Sequence, residues 1–458
     1  MSSYLISSTK KSSGKTIISI GLAYKFRNKK ISVFKKGPDY IDPLWIKRAA
    51  KQDCFNLDFY TMTEKEIENL YRSNTFDSNI SIVEGNKGLF DGLSLDGKDS
   101  NAALAKLLKL EVILVVDCNG ITRGIAPIIN GYEIFDKKIN YKGVILNNIA
   151  SERHEGKLVN AINEYTSLNI IGSVYKNKKL QILEQHLGLK PDFIKTDANK
   201  VIKSISSIIA SSVDTDKLIK ISRQKSEKLK NHIPPHINSF KDLKIGIASD
   251  ESFGFYYPDD LKEFISYGVK IVYFNTFSST SIPRVDAIFI GGGFPEIFKE
   301  KLSRNKKLIN SLHAFIESGK PVYAECGGLM YLCDKLIMNN RSYKMAGILN
   351  ADVTMHDKPI GRGYVDLLVT KDHPWMNNKK IIKAHEFHYS SIKINDRNIK
   401  YGFNVKRGYG LNGKSDGIIY KNLVASYSHM RSTNNTMWVR QFLKFINKTK
   451  QNETKANI

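Results

Sequence analysis

The stretch Val322–Leu332, VYAECGGLMYL, decides the fold of the second half of the chain. An apolar, strand-like run ends at Cys326, with a carboxylate just before the cysteine and a Gly-Gly pair just after it. A buried structural cysteine needs no such neighbours. A strand, a tight turn and a helix lift a nucleophile above the edge of an α/β sheet, and the helix N-terminus helps to stabilise a thiolate. The stretch therefore predicts an α/β domain in which Cys326 is a nucleophile.

A thiolate nucleophile also needs an oxyanion site and a base. Upstream, FIGGGFPE places Gly292 and Gly293 in a loop after a strand, where backbone N–H groups can bind an oxyanion. Downstream, LVASYSHMR places His429 just after another strand-like run, roughly 100 residues beyond the cysteine. We interpret Cys326 and His429 as a catalytic pair that meets in space.

The first half of the chain carries a candidate phosphate-binding loop. STKKSSGKT, residues 8–16, follows the first predicted strand and opens a helix, and it ends in Gly14, Lys15 and Thr16. In such loops backbone N–H groups bind phosphate, the lysine reaches the terminal phosphates and the hydroxyl binds Mg²⁺. The first glycine of the usual pattern is replaced by Thr9, and an ordinary helix cap with an exposed lysine is the alternative. The position between strand one and helix one favours nucleotide binding.

Acidic residues follow the next two predicted strands. KKGPDYIDP carries Asp39 and Asp42, and IVEGNKGLFDG places Glu84 at the end of the third strand. Ligands of open α/β sheets bind at that edge, and carboxylates there can hold Mg²⁺. Each residue alone could be a solvated turn residue. Three of them at successive strand ends, beside a phosphate loop, favour a magnesium site.

The bulk composition fits a globular protein and excludes several classes. Of the 458 residues, 41% are hydrophobic, as in soluble globular chains. No apolar run reaches the roughly 18 residues of a membrane span, and the N-terminus lacks a signal-peptide layout. The four cysteines form no CxxC pair, so neither a disulfide framework nor zinc is expected. We expect a cytoplasmic protein with no membrane partner.

The formal net charge of +25 has two explanations. It could serve a polyanionic partner, such as nucleic acid or an acidic small molecule. It could also reflect an AT-rich genome, because the chain is full of lysine, asparagine and isoleucine. The lysines are scattered and not gathered in one arm or helix, which argues against a nucleic-acid surface.

Two regions of alternating strands and helices are separated by a charged segment. Apolar strands alternating with helices predict a buried parallel sheet in the first region, and the same alternation restarts near KIGIAS. RQKSEKLKNHIPPHINSFKD, between them, has a Pro-Pro pair and no sustained period. We predict a nucleotide-binding domain at 1–215, a linker at 216–242, a second α/β domain at 243–447 and a polar tail at 448–458.

A nucleotide site in one domain and an activated cysteine in another are typical of a glutamine-dependent amide ligase. The chain resembles the cobyrinate a,c-diamide synthase family over nearly its full length. The shared motifs, in the family's order, are FKKGPDYIDP, VEGNKGLFDG, GVILNNIASERH, EQHLGL, FGFYYPDDL, IGGGFPE, PVYAECGGLMYL, HEFHYS and ASYSH. The resemblance implies an N-terminal dethiobiotin-synthetase-like P-loop domain that binds ATP. It also implies a C-terminal class I, triad-type glutamine amidotransferase domain.

The resemblance also assigns roles. The family's nucleophile falls on Cys326, and the histidine that activates it falls on His429. Gly292 and Gly293 would stabilise the oxyanion, and Asp39 would lie near the acceptor carboxylate. The implied ATP-binding residues are Gly14, Lys15, Thr16 and Asn147, the last as the adenine-reading asparagine. The implied Mg²⁺ ligands are Thr16, Asp42 and Glu84.

The implied reaction is the amidation of the a- and c-acetates of cobyrinate through an acyl phosphate, with ATP and glutamine as co-substrates. Hydrogenobyrinate or a nickel sirohydrochlorin would fit the same motifs, and we leave a homodimer open. Arg431 stands where many triad enzymes keep a glutamate, so the site could work as a dyad. Ser8 and Ser12 replace two glycines of the family's phosphate loop.

Two readings from other classes remain at this stage. A P-loop switch of the partition ATPase type would use Lys10 as a second phosphate-contacting lysine, and the basic charge would suit DNA. A regulatory protein with an inactive glutaminase domain is the other alternative. The intact Cys326 argues against both.

Overall fold

The computed structural model describes residues 1–177, 180, 198–221, 239–377 and 379–456. By internal contacts the chain divides into two compact units, Met1–Ile233 and Pro234–Ile458. The EQHLGL motif lies outside the described residues, as does most of the predicted linker. No helix of the described part is long and apolar enough to cross a membrane.

The first unit is built on a seven-stranded parallel sheet with helices between the strands. Its strands are β1 Ser2–Ser8, β2 Ile31–Lys36, β3 Cys54–Leu57, β4 Ile80–Glu84, β5 Glu111–Asp117, β6 Tyr141–Ile149 and β7 Ile170–Tyr175. Its helices are α1 Lys15–Phe26, α2 Ile41–Ala50, α3 Glu64–Thr75, α4 Asn101–Leu108, α5 Ile125–Phe135, α6 Glu152–Tyr165, α7 Ala198–Ser212 and α8 Thr215–Ile221.

The strand order β3-β2-β4-β1-β5-β6-β7 locates the binding edge. From β1 the chain crosses to β2 on one side, whereas β5, β6 and β7 extend the sheet on the other side. Ligands of such sheets bind at the carboxyl ends of the strands where the direction reverses. That point lies beside β1, which is followed by the phosphate loop.

Both faces of this sheet are covered, which explains its continuous apolar strands. Successive residues of a strand point to opposite faces. In β1, Tyr4 and Ile6 accordingly belong to one hydrophobic cluster, and Leu5 belongs to the cluster on the other face. The loops at the strand ends are therefore held by a core on each side.

The second unit contains a nine-stranded mixed sheet and two small sheets. Its strands are β8 Lys244–Ala248, β9 Phe253–Phe255, β10 Lys270–Phe274, β11 Ala287–Ile290, β12 Gly292–Gly293, β13 Val322–Glu325, β14 Cys333–Met338, β15 Arg341–Lys344, β16 Leu349–Met355, β17 Gly361–Val369, β18 Ile381–His388, β19 Ser390–Ile394, β20 Lys400–Arg407, β21 Ser415–Tyr420 and β22 Leu423–Ser426. Its helices are α9 Pro258–Ser266, α10 Lys299–Arg304, α11 Lys306–Glu317, α12 Gly327–Leu332 and α13 Trp438–Ala456.

The large sheet has the order β10-β8-β11-β13-β22-β21-β20-β17-β18. The strands from β10 to β22 are parallel, and those from β21 to β18 are antiparallel to their neighbours. An isolated antiparallel bridge then joins His385 of β18 to His429, which follows β22. The antiparallel part therefore curves back, so that β18 at the edge of the sheet pairs with the segment that follows β22.

The end of the chain differs from the polar tail expected at 448–458. Helix α13 continues to Ala456, and Lys450 within it donates a hydrogen bond to the Asp242 carbonyl at 2.8 Å. The Lys450 ammonium also lies 3.0 Å from a carboxylate oxygen of Asp286. The polar composition of this segment is that of the solvent-facing side of an amphipathic helix.

Candidate active site

The phosphate loop is held in a single shape by contacts across the carboxyl edge of the first sheet. Gly14 has φ +90°, and an added Cβ there would lie 2.2 Å from Nδ2 of Asn147, so only glycine fits. The Asn147 amide donates to the carbonyl of Ser13 at 2.9 Å. The buried Lys15 ammonium donates to the hydroxyl of Ser8 at 2.9 Å. Asn147 thus contacts the loop, and its role toward adenine stays a prediction.

The three residues assigned to Mg²⁺ lie together. The Thr16 hydroxyl donates to Oε1 of Glu84 at 2.7 Å. The ammonium of Lys35, on β2, lies 2.8 Å from the same Glu84 oxygen and 2.6 Å from Oδ2 of Asp42. Asp39, also predicted here, is 4.0 Å from Lys35 with a side chain that is 37% exposed. Its Oδ1 accepts from the Ile41 N–H at 2.9 Å at the start of α2.

Lys35 keeps its charge although its side chain is buried. Burial alone would lower its pKa, but the negative charges of Asp42 and Glu84 outweigh that effect and raise the pKa above its ordinary value. Burial of the Asp42 carboxyl would raise its pKa, and Lys35 reverses the shift so that the pKa is lowered. The pKa of Glu84 is raised, mainly by burial. The positive charge of Lys35 therefore offsets the negative charges of Asp42 and Glu84.

The donor set fits a hard divalent cation. Oxygen atoms of carboxylates and hydroxyls are the ligands that Mg²⁺ prefers. Thr16, Asp42 and Glu84 supply such atoms, and Oε2 of Glu84 is buried with no hydrogen-bond partner among the described residues. That oxygen is available to a metal ion while Oε1 stays on Lys35 and Thr16.

The nucleophile elbow has a strained backbone. Cys326 follows β13 with φ 48° and ψ −101°, a conformation that non-glycine residues rarely adopt. Its N–H donates to the Ser426 carbonyl at the end of β22, 2.7 Å away. An added Cβ at Gly328 would lie 2.4 Å from the Ile290 carbonyl oxygen, so the elbow packs tightly on β11. Strain at a single residue of this kind is characteristic of functional turns.

The two glycines assigned to the oxyanion site lie against His429 and against Gly327, the residue that follows Cys326. An added Cβ at Gly292 would meet Cε1 of His429 at 2.4 Å, and one at Gly327 would meet the backbone nitrogen of Gly293 at 2.9 Å. Strand β12 is fixed by antiparallel pairing with β9. In addition, the Gly291 N–H donates to the Tyr256 hydroxyl at 2.9 Å. Gly292 therefore lies beside His429, and the Gly293 nitrogen lies beside the residue that follows Cys326.

The buried His429 side chain interacts with both Cys326 and Glu325. Burial would lower the pKa of His429, but its interactions with Cys326 and with Glu325 raise the pKa to about 10. Its backbone is paired with His385 in both directions, with N–H to oxygen distances of 2.8 and 3.3 Å. The His385 ring stacks on the His429 ring with centroids 5.0 Å apart. His388 instead places Nδ1 2.8 Å from the Ser390 carbonyl.

Arg431, two residues after the histidine, points to a different part of the unit. Its Nε donates to Oδ2 of Asp259 at 2.9 Å, and its side chain is 1% exposed. Its guanidinium lies over the Tyr257 ring, 4.8 Å from the centroid. The neighbouring Asp260 accepts from the Trp438 indole at 2.8 Å. Arg431 is therefore part of the packing between α9 and α13.

Comparison with known proteins follows the same division of the chain. Residues 2–182 match the AAA domain, and residues 244–437 match the CobB/CobQ-like glutamine amidotransferase domain. A cobyrinate a,c-diamide synthase of Magnetococcus marinus is 38% identical over 448 residues, 96% of this chain and 96% of the relative. One from Archaeoglobus fulgidus is 35% identical over 458 residues, covering 97% and 98%.

The chain belongs to the cobyrinate a,c-diamide synthase family. The resemblance seen in the sequence is thereby confirmed, as is the fold class: an α/β protein with a P-loop-type domain followed by a glutamine amidotransferase domain. Cobyrinate a,c-diamide synthases with this domain are glutamine-dependent carbon–nitrogen ligases, and so is this chain. The alternatives of a P-loop switch and of a regulatory protein are set aside. The AAA domain indicates that ATP is used.

Two residues of this cobyrinate a,c-diamide synthase family member were missed in the sequence. Lys35 lies in the motif FKKGPDYIDP, but a lysine pair at the end of a strand gave no sign that both lysines are buried or that Lys35 lies among carboxylates. Glu325 was noticed only as a neighbour of the nucleophile. Its nearness to His429 depends on strands that are far apart in the sequence, β13 and β22, lying side by side.

Proposed function

We propose that this protein amidates the a- and c-acetate carboxylates of cobyrinate, giving cobyrinate a,c-diamide in cobalamin biosynthesis. This proposal is supported by relatives that align over nearly the whole chain and are cobyrinate a,c-diamide synthases. The observation that supports the chemistry is the interaction of the His429 imidazole with Cys326 in the second unit, which raises the pKa of His429, together with the phosphate loop in the first. Each amide consumes one ATP and one glutamine.

The first step is phosphorylation of an acetate side chain of the macrocycle. The carboxylate oxygen attacks the γ-phosphorus of ATP, and the bond from that phosphorus to the β-phosphate oxygen breaks. ADP departs, and the acetate side chain has become an acyl phosphate. Lys15 and Lys35 neutralise charge on the transferred group, and Asp39 lies at the exposed side, facing the acceptor carboxylate. Thr16, Asp42 and Glu84 would hold Mg²⁺. When bound there, Mg²⁺ supplies charge neutralisation and orientation of the phosphate oxygens.

The second step releases ammonia from glutamine. The Cys326 thiolate attacks the side-chain amide carbon, and the N–H groups of Gly292 and Gly293 stabilise the oxyanion. His429 gives its proton to the leaving nitrogen, so ammonia departs and a thioester remains. His429 then takes a proton from water, whose oxygen displaces the thiolate and yields glutamate. The enzyme returns to its starting protonation state.

In the final step ammonia attacks the acyl carbon and displaces inorganic phosphate. Only neutral ammonia is a nucleophile, so the molecule must reach the acyl phosphate before it is protonated by water. The macrocycle carries several carboxylates, and the basic net charge of +25 complements such a substrate. A homodimer would be compatible with this chemistry.

The test is an incubation of the purified protein with ATP, Mg²⁺, glutamine and one ring at a time. Mass spectrometry detects each replacement of a carboxyl hydroxyl by an amino group. Cobyrinate should be amidated twice, and phosphate and glutamate should each form in equal amounts with the amides. Preference for hydrogenobyrinate or nickel sirohydrochlorin under the same conditions would contradict the substrate assignment while leaving the ligase chemistry intact.

A further inference from the structure

The glutaminase site needs a group that orients His429, and the residue two positions further on does not supply it. Arg431 is a cation and its Nε is bound to Asp259 at 2.9 Å. It cannot accept a hydrogen bond from an imidazole N–H, because a guanidinium has donors only. A thiol–imidazole pair without an orienting acceptor leaves the tautomer of the ring unspecified.

We propose that Glu325, the residue directly before the nucleophile, is the positioning carboxylate of this site. Oε2 of Glu325 lies 3.5 Å from Nδ1 of His429, and the two side chains are 2% and 3% exposed. Successive residues of a strand point to opposite faces. Cys326 leaves the strand conformation with φ 48°, and this turn lets the carboxylate and the thiol reach the same ring. The proposal rests on the Cys326–His429 pair of the proposed function.

The Glu325 carboxylate is fixed on its other side. Its Oε1 accepts a hydrogen bond from the Tyr323 hydroxyl at 2.6 Å and another from the Met430 N–H at 2.8 Å. These two donors hold Oε1, so Oε2 is the oxygen that faces the imidazole. The Met430 bond also ties the carboxylate to the residue next to His429. The distance between acid and imidazole is therefore set by the backbone.

This arrangement determines the proton positions. A carboxylate at Nδ1 favours the tautomer with hydrogen on Nδ1, which leaves Nε2 as the base for the thiol. It also stabilises the imidazolium that forms when Cys326 gives up its proton. Among the residues that the structure describes, His385 also packs against the ring, and its pKa is lowered well below its ordinary value by burial and by His429. His385 is therefore neutral, and the charge that faces Nδ1 is that of Glu325.

The test compares Glu325→Gln with Glu317→Gln. Glutamine at 325 keeps the volume and can still accept from Tyr323 and Met430, but it has no charge. Glu317 is the matched control, because its carboxylate forms an exposed ion pair with Lys421 at 2.6 Å on the surface of the same unit. We expect Glu325→Gln to lower kcat for glutamine hydrolysis by about 10²–10⁴-fold with little change in KM, and the control to match the wild type.

A second measurement reads the electrostatic role directly. Because the anion raises the pKa of His429, its removal should lower that pKa, and the alkaline limb of the kcat/KM profile should move to lower pH. NMR titration of the His429 ring in a Cys326→Ala background should show the same downward shift on adding Glu325→Gln. A merely structural role would leave both unchanged. If Glu325→Gln does not fold, Glu325→Asp replaces it, with a smaller loss of kcat expected.

The outcomes separate this proposal from the proposed function. Wild-type kcat and an unmoved pH profile in Glu325→Gln, or wild-type kcat in Glu325→Asp where the glutamine variant does not fold, would overturn the role of Glu325 while Cys326 and His429 keep theirs. Glutamine hydrolysis at a normal rate in Cys326→Ala would instead overturn the nucleophile on which the proposal rests.

Discussion

Replacing Lys35 by methionine should destabilise the protein, because the carboxylates beside the phosphate loop lose the positive charge that compensates them. The Lys35 side chain is 5% exposed and its ammonium lies 2.6 Å from Asp42 and 2.8 Å from Glu84, whose side chains are 17% and 1% exposed. Removing one partner of a buried ion pair commonly costs about 3–5 kcal/mol, because the other charge is left without compensation. Since Asp42 keeps some contact with water, we expect a loss near the lower end, about 3 kcal/mol.

The pH dependence follows from the same charges. In the wild type the lowered pKa of Asp42 contributes stability at pH above its ordinary pKa, and that contribution is lost as the pH falls through the lowered value. Without Lys35 the pKa values of Asp42 and Glu84 should both rise. Lys35→Met is then destabilised at pH values above these raised pKa values, and the destabilisation decreases at pH values below them. The difference in stability from the wild type should be largest near neutral pH and shrink on acidification.

Urea unfolding, with hydrogen exchange of peptides from β2 and α2, measures the loss. Lys30→Met is the matched control, because Lys30 pairs with Asp77 at 2.9 Å at a site where both side chains are exposed. The control should lose less than about 1 kcal/mol. Mg²⁺ should stabilise Lys35→Met more than the wild type, since a dication replaces the missing charge. Equal losses in the two variants, without any added protection by Mg²⁺, would refute the reasoning.

Four further substitutions test which residues act in glutamine hydrolysis and which act in phosphorylation. Cys326→Ala should abolish glutamine-dependent amidation but retain amidation with ammonia at high pH; a normal rate of glutamine hydrolysis would refute the nucleophile. Lys15→Ala should lose about 10²-fold or more in rate with either nitrogen source, by analogy with loss of one oxyanion donor, and wild-type turnover with ammonia would rule out the phosphate role. His429→Ala should remove glutaminase activity, whereas Arg431→Ala should stay within about tenfold, roughly 1.4 kcal/mol of barrier. A larger loss in Arg431→Ala, in protein shown to be folded by circular dichroism, would mean that this residue acts on the site.

The sequence was most informative where function depends on local backbone geometry. A strand, a turn and a helix around Cys326, and the GKT at the start of α1, are both local patterns, and the structure has an elbow and a helix start there. The helix after Cys326 has only six residues. We therefore expect His429 to contribute more than the helix N-terminus to activation of the thiol.

Burial and long-range pairing could not be read from the sequence. Lys35 is one of 70 lysine and arginine residues, and a charged residue is normally on the surface, so its buried position depends on how β2 packs beside β4. Glu325 acquires its partner only when β22 aligns with β13. The antiparallel half of the second sheet was likewise not anticipated, because its strands alternate with loops and lack the helices that mark a parallel sheet.

The pairing of β13 with β22 has a consequence for the newly synthesised chain. The Cys326 N–H finds its acceptor on Ser426, and His429 is held by a bridge to His385. A ribosome that has released residues up to the elbow has therefore produced a cysteine without its base and without the strand that fixes its backbone. Domains generally fold as units during synthesis, so we expect the thiol to become reactive only when nearly the whole protein has emerged. A truncated chain that ends before β22 should therefore not cleave glutamine at all. An unfinished chain would then release no ammonia that has no acceptor.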